Sequence, residues 1–106
     1  MCLYIEQTSG KFADMARSAW QAQKDGDYDM ARAIYKQATG NDVPAHITND
    51  SCWFKYNLDM SIRTHYGKIN MDDVPYHHND DEHYYNILCK RATAKHGGTW
   101  RVQYEY

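Results

Sequence analysis

Between Val74 and Cys89 the chain reads VPYHHNDDEHYYNILC. Three histidines (His77, His78, His83), three acids (Asp80, Asp81, Glu82) and three tyrosines (Tyr76, Tyr84, Tyr85) fall within it. Imidazoles beside carboxylates can do two kinds of chemistry: they hold divalent metals, or they move protons near neutral pH. Spacing decides whether either is in play. His77 and His78 are neighbours in an extended stretch, so their side chains leave on opposite faces. His83 follows them by six and five positions, which is not the i, i+4 pairing of a helical zinc site. A metal would need His46, His65 or His96 brought in from elsewhere. The acids have a structural explanation of their own. Asn79 is a good N-cap and Glu82, three residues on, completes a capping box. Asp80, Asp81 and Glu82 then fill the first turn, where the helix dipole favours each negative charge by roughly 0.3–1 kcal/mol. The expectation is a capped helix with no metal and no cofactor.

Other chemistries find less support. Cys89 belongs to the apolar face of the helix that follows, where burial makes a thiol inert. Cys52 could meet a histidine only through the fold. The chain has no G-x-S-x-G, no glycine-rich phosphate loop and no H-E-x-x-H. Lys90, Arg91, Lys95 and Arg101 gather near the C-terminus, but the net charge is −2. They do not argue for nucleic acid; cations at the end of a helix complement its dipole.

The elements that must position these residues follow from periodicity. Phe12, Met15, Ala16, Ala19, Trp20 and Gln23 keep a helical rhythm, which predicts a first helix over 9–24. Gly26 stops it, Asp27 caps the next, and Tyr28, Ala31, Ile34, Tyr35 and Ala38 predict a second helix over 28–39, ended by Gly40. So short a link makes the two antiparallel. Phe54, Tyr56, Leu58, Met60 and Ile62 then alternate with polar residues, which predicts a half-exposed strand, or two strands with a bend. Tyr66-Gly67 turns the chain, and residues 68–72 are expected to return as a second strand. Pro75 excludes helix just before it. A third helix is expected over 80–94, with Tyr85, Leu88, Cys89 and Ala92 inward. Gly97-Gly98 stops it, and TWRVQYEY closes the chain as a strand. The whole is an α+β fold: an N-terminal helical hairpin, a small mainly antiparallel sheet of about three strands, a third helix and a C-terminal strand, in a single domain over residues 1–106.

Two segments resemble known families. In GDYDMARAIYKQA, the residues Gly26, Asp27, Tyr28, Ala31, Tyr35 and Ala38 resemble the second half of a tetratricopeptide repeat. A solenoid needs about three repeats, so the likeness implies helical-hairpin packing alone. Residues 60–89 resemble the small dGTP triphosphohydrolase inhibitors of T7-like phages, through Tyr76-His77-His78, the acids at the helix start, an aromatic, Asn86 and Cys89. That resemblance implies a phage-encoded protein of the host cytoplasm, without catalysis, that disarms a host enzyme.

Composition fits such a role. Ten tyrosines and three tryptophans stand against two phenylalanines. Tyrosine and tryptophan bind well from a surface, because each carries apolar area at low entropic cost and a polar tip. No apolar run approaches the roughly 20 residues that span a bilayer. The N-terminus lacks the basic start and apolar middle of a signal peptide. Three cysteines without a C-x-x-C favour reduced thiols and a cytoplasmic setting. The expectation is therefore a protein-binding inhibitor of a host nucleotide-metabolising or defence enzyme. Tyr76, His77, His78, Asp80, Asp81 and Tyr84 form its contact surface, with Asp72, Asp73 and Glu82 adding charge. Two alternatives stay open: a metal-dependent hydrolase built on His77, His78 and His83, and a small-ligand binder whose tyrosines stack on a nucleotide base.

Overall fold

The computed structural model describes residues 2–75 and 81–105. In chain order its elements are β1 (Cys2–Ser9), α1 (Lys11–Lys24), α2 (Tyr28–Thr39), α3 (Cys52–Tyr56), α4 (Leu58–Arg63), α5 (Asp81–His96) and β2 (Thr99–Glu105). Helix and sheet are mixed, as an α+β fold requires, but the sheet has two strands among the described residues, not about three.

The helical hairpin forms where its periodicity predicts, but Trp20, counted in the rhythm of α1, is 44% exposed, and Ala13 and Ala22 are buried instead. Ala13, Ala16, Ala19 and Ala22 make a stripe of small buried residues along α1. They let α2 and α4 pack closely on it. Asp27 accepts from the Met30 N–H at 3.2 Å and so caps α2. Its own N–H returns to the Ala22 carbonyl at 2.8 Å, which folds the two helices back on each other.

The strand expected over residues 54–62 is instead the helix pair α3 and α4. The reason lies in an overlap of two periods. Phe54, Leu58 and Ile62 are 0%, 2% and 0% exposed, and they stand at i, i+4 and i+8, a helical face that period-two alternation also contains. The intervening Tyr56 is 71% exposed, which a strand with one buried face would not allow. Ser51 fixes the choice locally, because its Oγ accepts from the Phe54 N–H at 3.1 Å as a helix cap.

These residues join Ala16, Ala19, Ala22, Ala31 and Val43 in one core. A second core holds Ile5, Phe12, Leu88, Cys89, Ala92 and Trp100. Helix α1 contributes to both, Phe12 to the second and its later alanines to the first. The second core is roofed by α5, whose inward residues Leu88, Cys89 and Ala92 are those its periodicity predicts.

Strand β1 replaces what reads as an unassigned N-terminus. It pairs antiparallel with β2, Ile5 opposite Val102 and Gln7 opposite Trp100. Gln7 is fully buried at a core-facing position, and this polar residue hides the apolar alternation of the strand. Its amide explains why it is tolerated there. The Oε1 accepts from the Ala13 N–H at 2.9 Å, one of the donors that the start of α1 leaves unpaired. The Nε2 donates to the Gly97 carbonyl at 3.2 Å, just beyond α5. One side chain thus ties β1, α1 and α5 together.

Residues 68–72, expected as a return strand, pair with no strand among the described residues. They run as an extended strap over α5. Ile69 and Met71 pack into the second core, which accounts for the strand-like pattern without a ladder.

Candidate interaction surface at the start of α5

The strap is held by side chains from the second half of α5. Arg91 grips Asp73 with both ends of its guanidinium, Nη1 to Oδ1 and Nη2 to Oδ2, each at 2.8 Å. Nη1 also donates to the Asn70 carbonyl at 2.6 Å. Lys95 donates to the Lys68 carbonyl, and the His96 Nε2 lies 2.7 Å from the Tyr66 carbonyl oxygen. The carbonyls of residues 66, 68 and 70 thus all meet side chains of α5. The cations expected to complement the helix dipole do more specific work: Arg91 and Lys95 fasten a strap, and Arg101 bonds to Glu6 across the sheet. Arg91 holds the Asp73 carboxyl below the usual carboxylate range, through its hydrogen bond first and its charge after.

Of the residues expected to form the site, Asp81 and Tyr84 lie in the first turn of α5. Tyr84 packs edge-on against Tyr85, ring centres 5.5 Å apart. Glu82 and His83 beside them are exposed, as is Asp72 before the strap ends. One carboxylate oxygen of Asp81 is buried without a hydrogen-bond partner among the described residues. Tyr76, His77, His78, Asp80 and the expected cap Asn79 lie outside the described residues. Among the described residues no three histidines, cysteines or acids are grouped to hold a metal. A groove of about 530 Å³ follows the strap, lined by residues 66–72, with Tyr66 its one aromatic.

The other histidines are placed away from this surface. His46 is exposed in the loop after α2. His65 and His96 both meet the Phe12 ring edge-on, at 6.2 and 5.0 Å between centres, with Trp100 at 6.0 Å. Burial lowers the His65 pKa, and the charge of His96 lowers it further. A folded value below the unfolded one of about 6.5 means that the unfolded chain takes up more protons. Stability from this group is therefore complete above about pH 6.5 and lost as the pH falls from there towards the folded value. Urea unfolding at about pH 7.5 and about pH 5.5 is expected to show a lower midpoint at the acid pH, and His65→Phe should shrink the difference. An unchanged difference in that variant would remove His65 as the cause.

Cys89 is buried, and burial raises its pKa, as an inert core thiol requires. Cys52 opens α3 and is exposed. The strap and its Arg91 clamp were not foreseen, because Arg91 and Asp73 are 18 positions apart and no local pattern links them. Among the described residues no helix is long and apolar enough to cross a membrane. The chain is thus a mixed helix–sheet protein with an acidic, tyrosine-bearing helix start beside a clamped strap. No family model, curated protein or solved structure matches it.

Proposed function

We propose that this chain is a non-enzymatic protein-binding module that inhibits a nucleotide-metabolising or defence enzyme of a bacterial host by covering it. The phage origin and the kind of target come from the resemblance of residues 60–89. The contact surface is the segment from Asp72 to Tyr84, with Tyr76, His77, His78, Asp80, Asp81 and Tyr84 at its centre. One observation carries the reading: the Arg91–Asp73 clamp pins the near end of that segment to α5, and the first turn of α5 is its far end. A segment held on one helix at both ends has less freedom to lose when it binds. Its acids would steer the approach to a basic cleft and its tyrosines would anchor the contact.

Affinity capture from a bacterial lysate identifies the target, and binding kinetics test the surface. Tyr76→Ala is expected to speed dissociation, since it removes an anchor. The double change Asp80→Asn with Asp81→Asn should mainly slow association, and added salt should mimic it. Arg91→Ala should lower the melting temperature modestly, because Ile69 and Met71 of the strap pack on the second core, and weaken binding about tenfold, because the loosened strap must be ordered on contact. Wild-type kinetics in all three would place the contact elsewhere, with the exposed Trp20 and Met30 of the helical hairpin the next surface to test.

A further inference from the structure

The two ends of the strap differ in charge. At the far end Asp73 is paired with Arg91, and Asp72 stands exposed beside it. At the near end the charges are positive. Lys68 and Lys95 are exposed, and neither makes an ion pair among the described residues. The Lys95 ammonium bonds to the Lys68 carbonyl and lies 4.0 Å from the point that a Cβ on Gly67 would occupy. That bond uses one of its three donors and leaves two. Lys11 adds to the field. Its Nζ and the His96 ring each stand 5.0 Å from the centre of the Phe12 ring, and His96 reaches the Tyr66 carbonyl. The backbone contributes as well. The N–H groups of Gly67, Lys68 and Ile69 donate to no acceptor among the described residues. Gly67, at a φ of 69°, has no Cβ to cover its own.

We propose that the groove along the strap binds a small phosphate-bearing molecule, with the phosphate seated at the near end, between Lys68 and Lys95 and against the N–H groups of Gly67 and Lys68. A phosphate suits such a seat because it offers acceptor oxygens in several directions, to two ammonium groups and to backbone donors together. The groove holds about 530 Å³, within the roughly 300–1,000 Å³ of small-ligand sites and far more than one phosphate fills. The ligand therefore continues along the strap towards Asn70 and Asp72. Asn70 Oδ1 is taken by the Asp72 N–H, which leaves the Asn70 amide nitrogen and the Asp72 carboxylate to meet it. A carboxylate accepts from hydroxyl or amino groups and repels a second phosphate. These ends together select a monophosphate with hydroxyls at its other end: a sugar phosphate or a nucleoside monophosphate. Tyr66, the one aromatic of the lining, would serve a base if one is present. The site shares only Asp72 with the contact surface proposed above and does not depend on the inhibitory reading.

Amide NMR titrations at fixed ionic strength test it, with AMP, ribose phosphate, inorganic phosphate and adenosine as the probes. AMP and ribose phosphate are expected to shift the Gly67, Lys68 and Ile69 amides saturably at millimolar concentration or below. Inorganic phosphate should bind about tenfold more weakly or worse, and adenosine should leave these amides in place. Tighter binding of AMP than of ribose phosphate marks a base contact, and equal binding assigns the site to sugar phosphates; both support the seat. Lys68→Gln removes a charge from a side chain that holds nothing else and should weaken binding about tenfold. Adding Lys95→Gln should abolish it over the same range. Lys55→Gln, the same change of charge on α3, should leave it intact, which separates the seat from the general field. Organic phosphates that leave the three amides unmoved overturn the proposal, and so does adenosine that binds as AMP does. Equal weakening by Lys68→Gln and Lys55→Gln overturns it too. Inorganic phosphate as tight as AMP, or shifts reproduced by sodium chloride, would mark an adventitious ion only and overturn it as well.

Discussion

Gly98→Ala is expected to destabilise the protein by about 3 kcal/mol or more, while Gly97→Ala costs about 1–2 kcal/mol. The two glycines share a φ of 75°, so any side chain meets the same left-handed strain at both. What separates them is space. A Cβ on Gly97 would meet nothing within 4 Å, whereas on Gly98 it would lie 2.1 Å from the Ser9 carbonyl oxygen and 2.9 Å from the Gln7 Nε2. The oxygen belongs to backbone at the end of β1 and cannot swing aside as a side chain could. The Gln7 amide would be displaced with it, and then the buried Ala13 N–H loses its acceptor, itself a matter of roughly 1–3 kcal/mol. Denaturant unfolding of both variants measures the gap. Equal losses would mean that the β1–β2 junction can move aside, and that the close approach at Gly98 does not hold the sheet.

A second large effect is expected at Phe54. Phe54→Ala should cost about 3–5 kcal/mol, enough to unfold much of a marginal domain. The ring is wholly buried, meets Tyr28 edge-on at 5.8 Å, and has the Arg32 guanidinium 4.7 Å from its centre. Its removal opens a cavity among residues of four helices and strips Arg32 of its π face. Tyr56→Ala is the companion measurement. On a strand Tyr56 would share the buried face of Phe54 and cost comparably. On α3 it faces solvent, and the loss should stay within about 0.5 kcal/mol. Comparable losses for the two variants would restore the strand over residues 54–62.

That pair of residues also shows where the sequence was legible. Helices α1, α2 and α5 and strand β2 are legible from their periods and from the glycines beside them, although Trp20, part of the rhythm of α1, is 44% exposed, and the cap expected for α5 lies outside the described residues. Residues 54–62 misled because i, i+4, i+8 is also every second step of an alternating pattern. Only the Ser51 cap and the apolar Trp53 on the wrong parity speak for a helix. Strand β1 was missed because Gln7 faces the core, and a buried amide is understood only when its partners at Ala13 and Gly97 are known. The strap at residues 68–72 reads as a strand because Ile69 and Met71 do point inward; whether such a segment finds a ladder or a helix face is decided by tertiary contacts. Of the candidate site, Asp81 and Tyr84 fall in the first turn of α5, and the expected cap Asn79 lies outside the described residues. The Arg91 clamp that fixes their neighbourhood joins positions no short motif connects.

The union of β1 with β2 has a consequence for how the molecule is made. Glu6 and Gln103, which touch across the sheet, are 97 positions apart. The hairpin of α1 and α2 needs only its own residues and can close early. The sheet must wait until the intervening helices have drawn its two halves together, and contacts this distant in sequence slow folding. Throughout that interval β1, with Leu3, Tyr4 and Ile5 along it, has both edges unmated. The slow step of folding thus coincides with the period in which the chain is most open to misassociation, and dilution should raise the refolding yield more than added stability in the helical hairpin would.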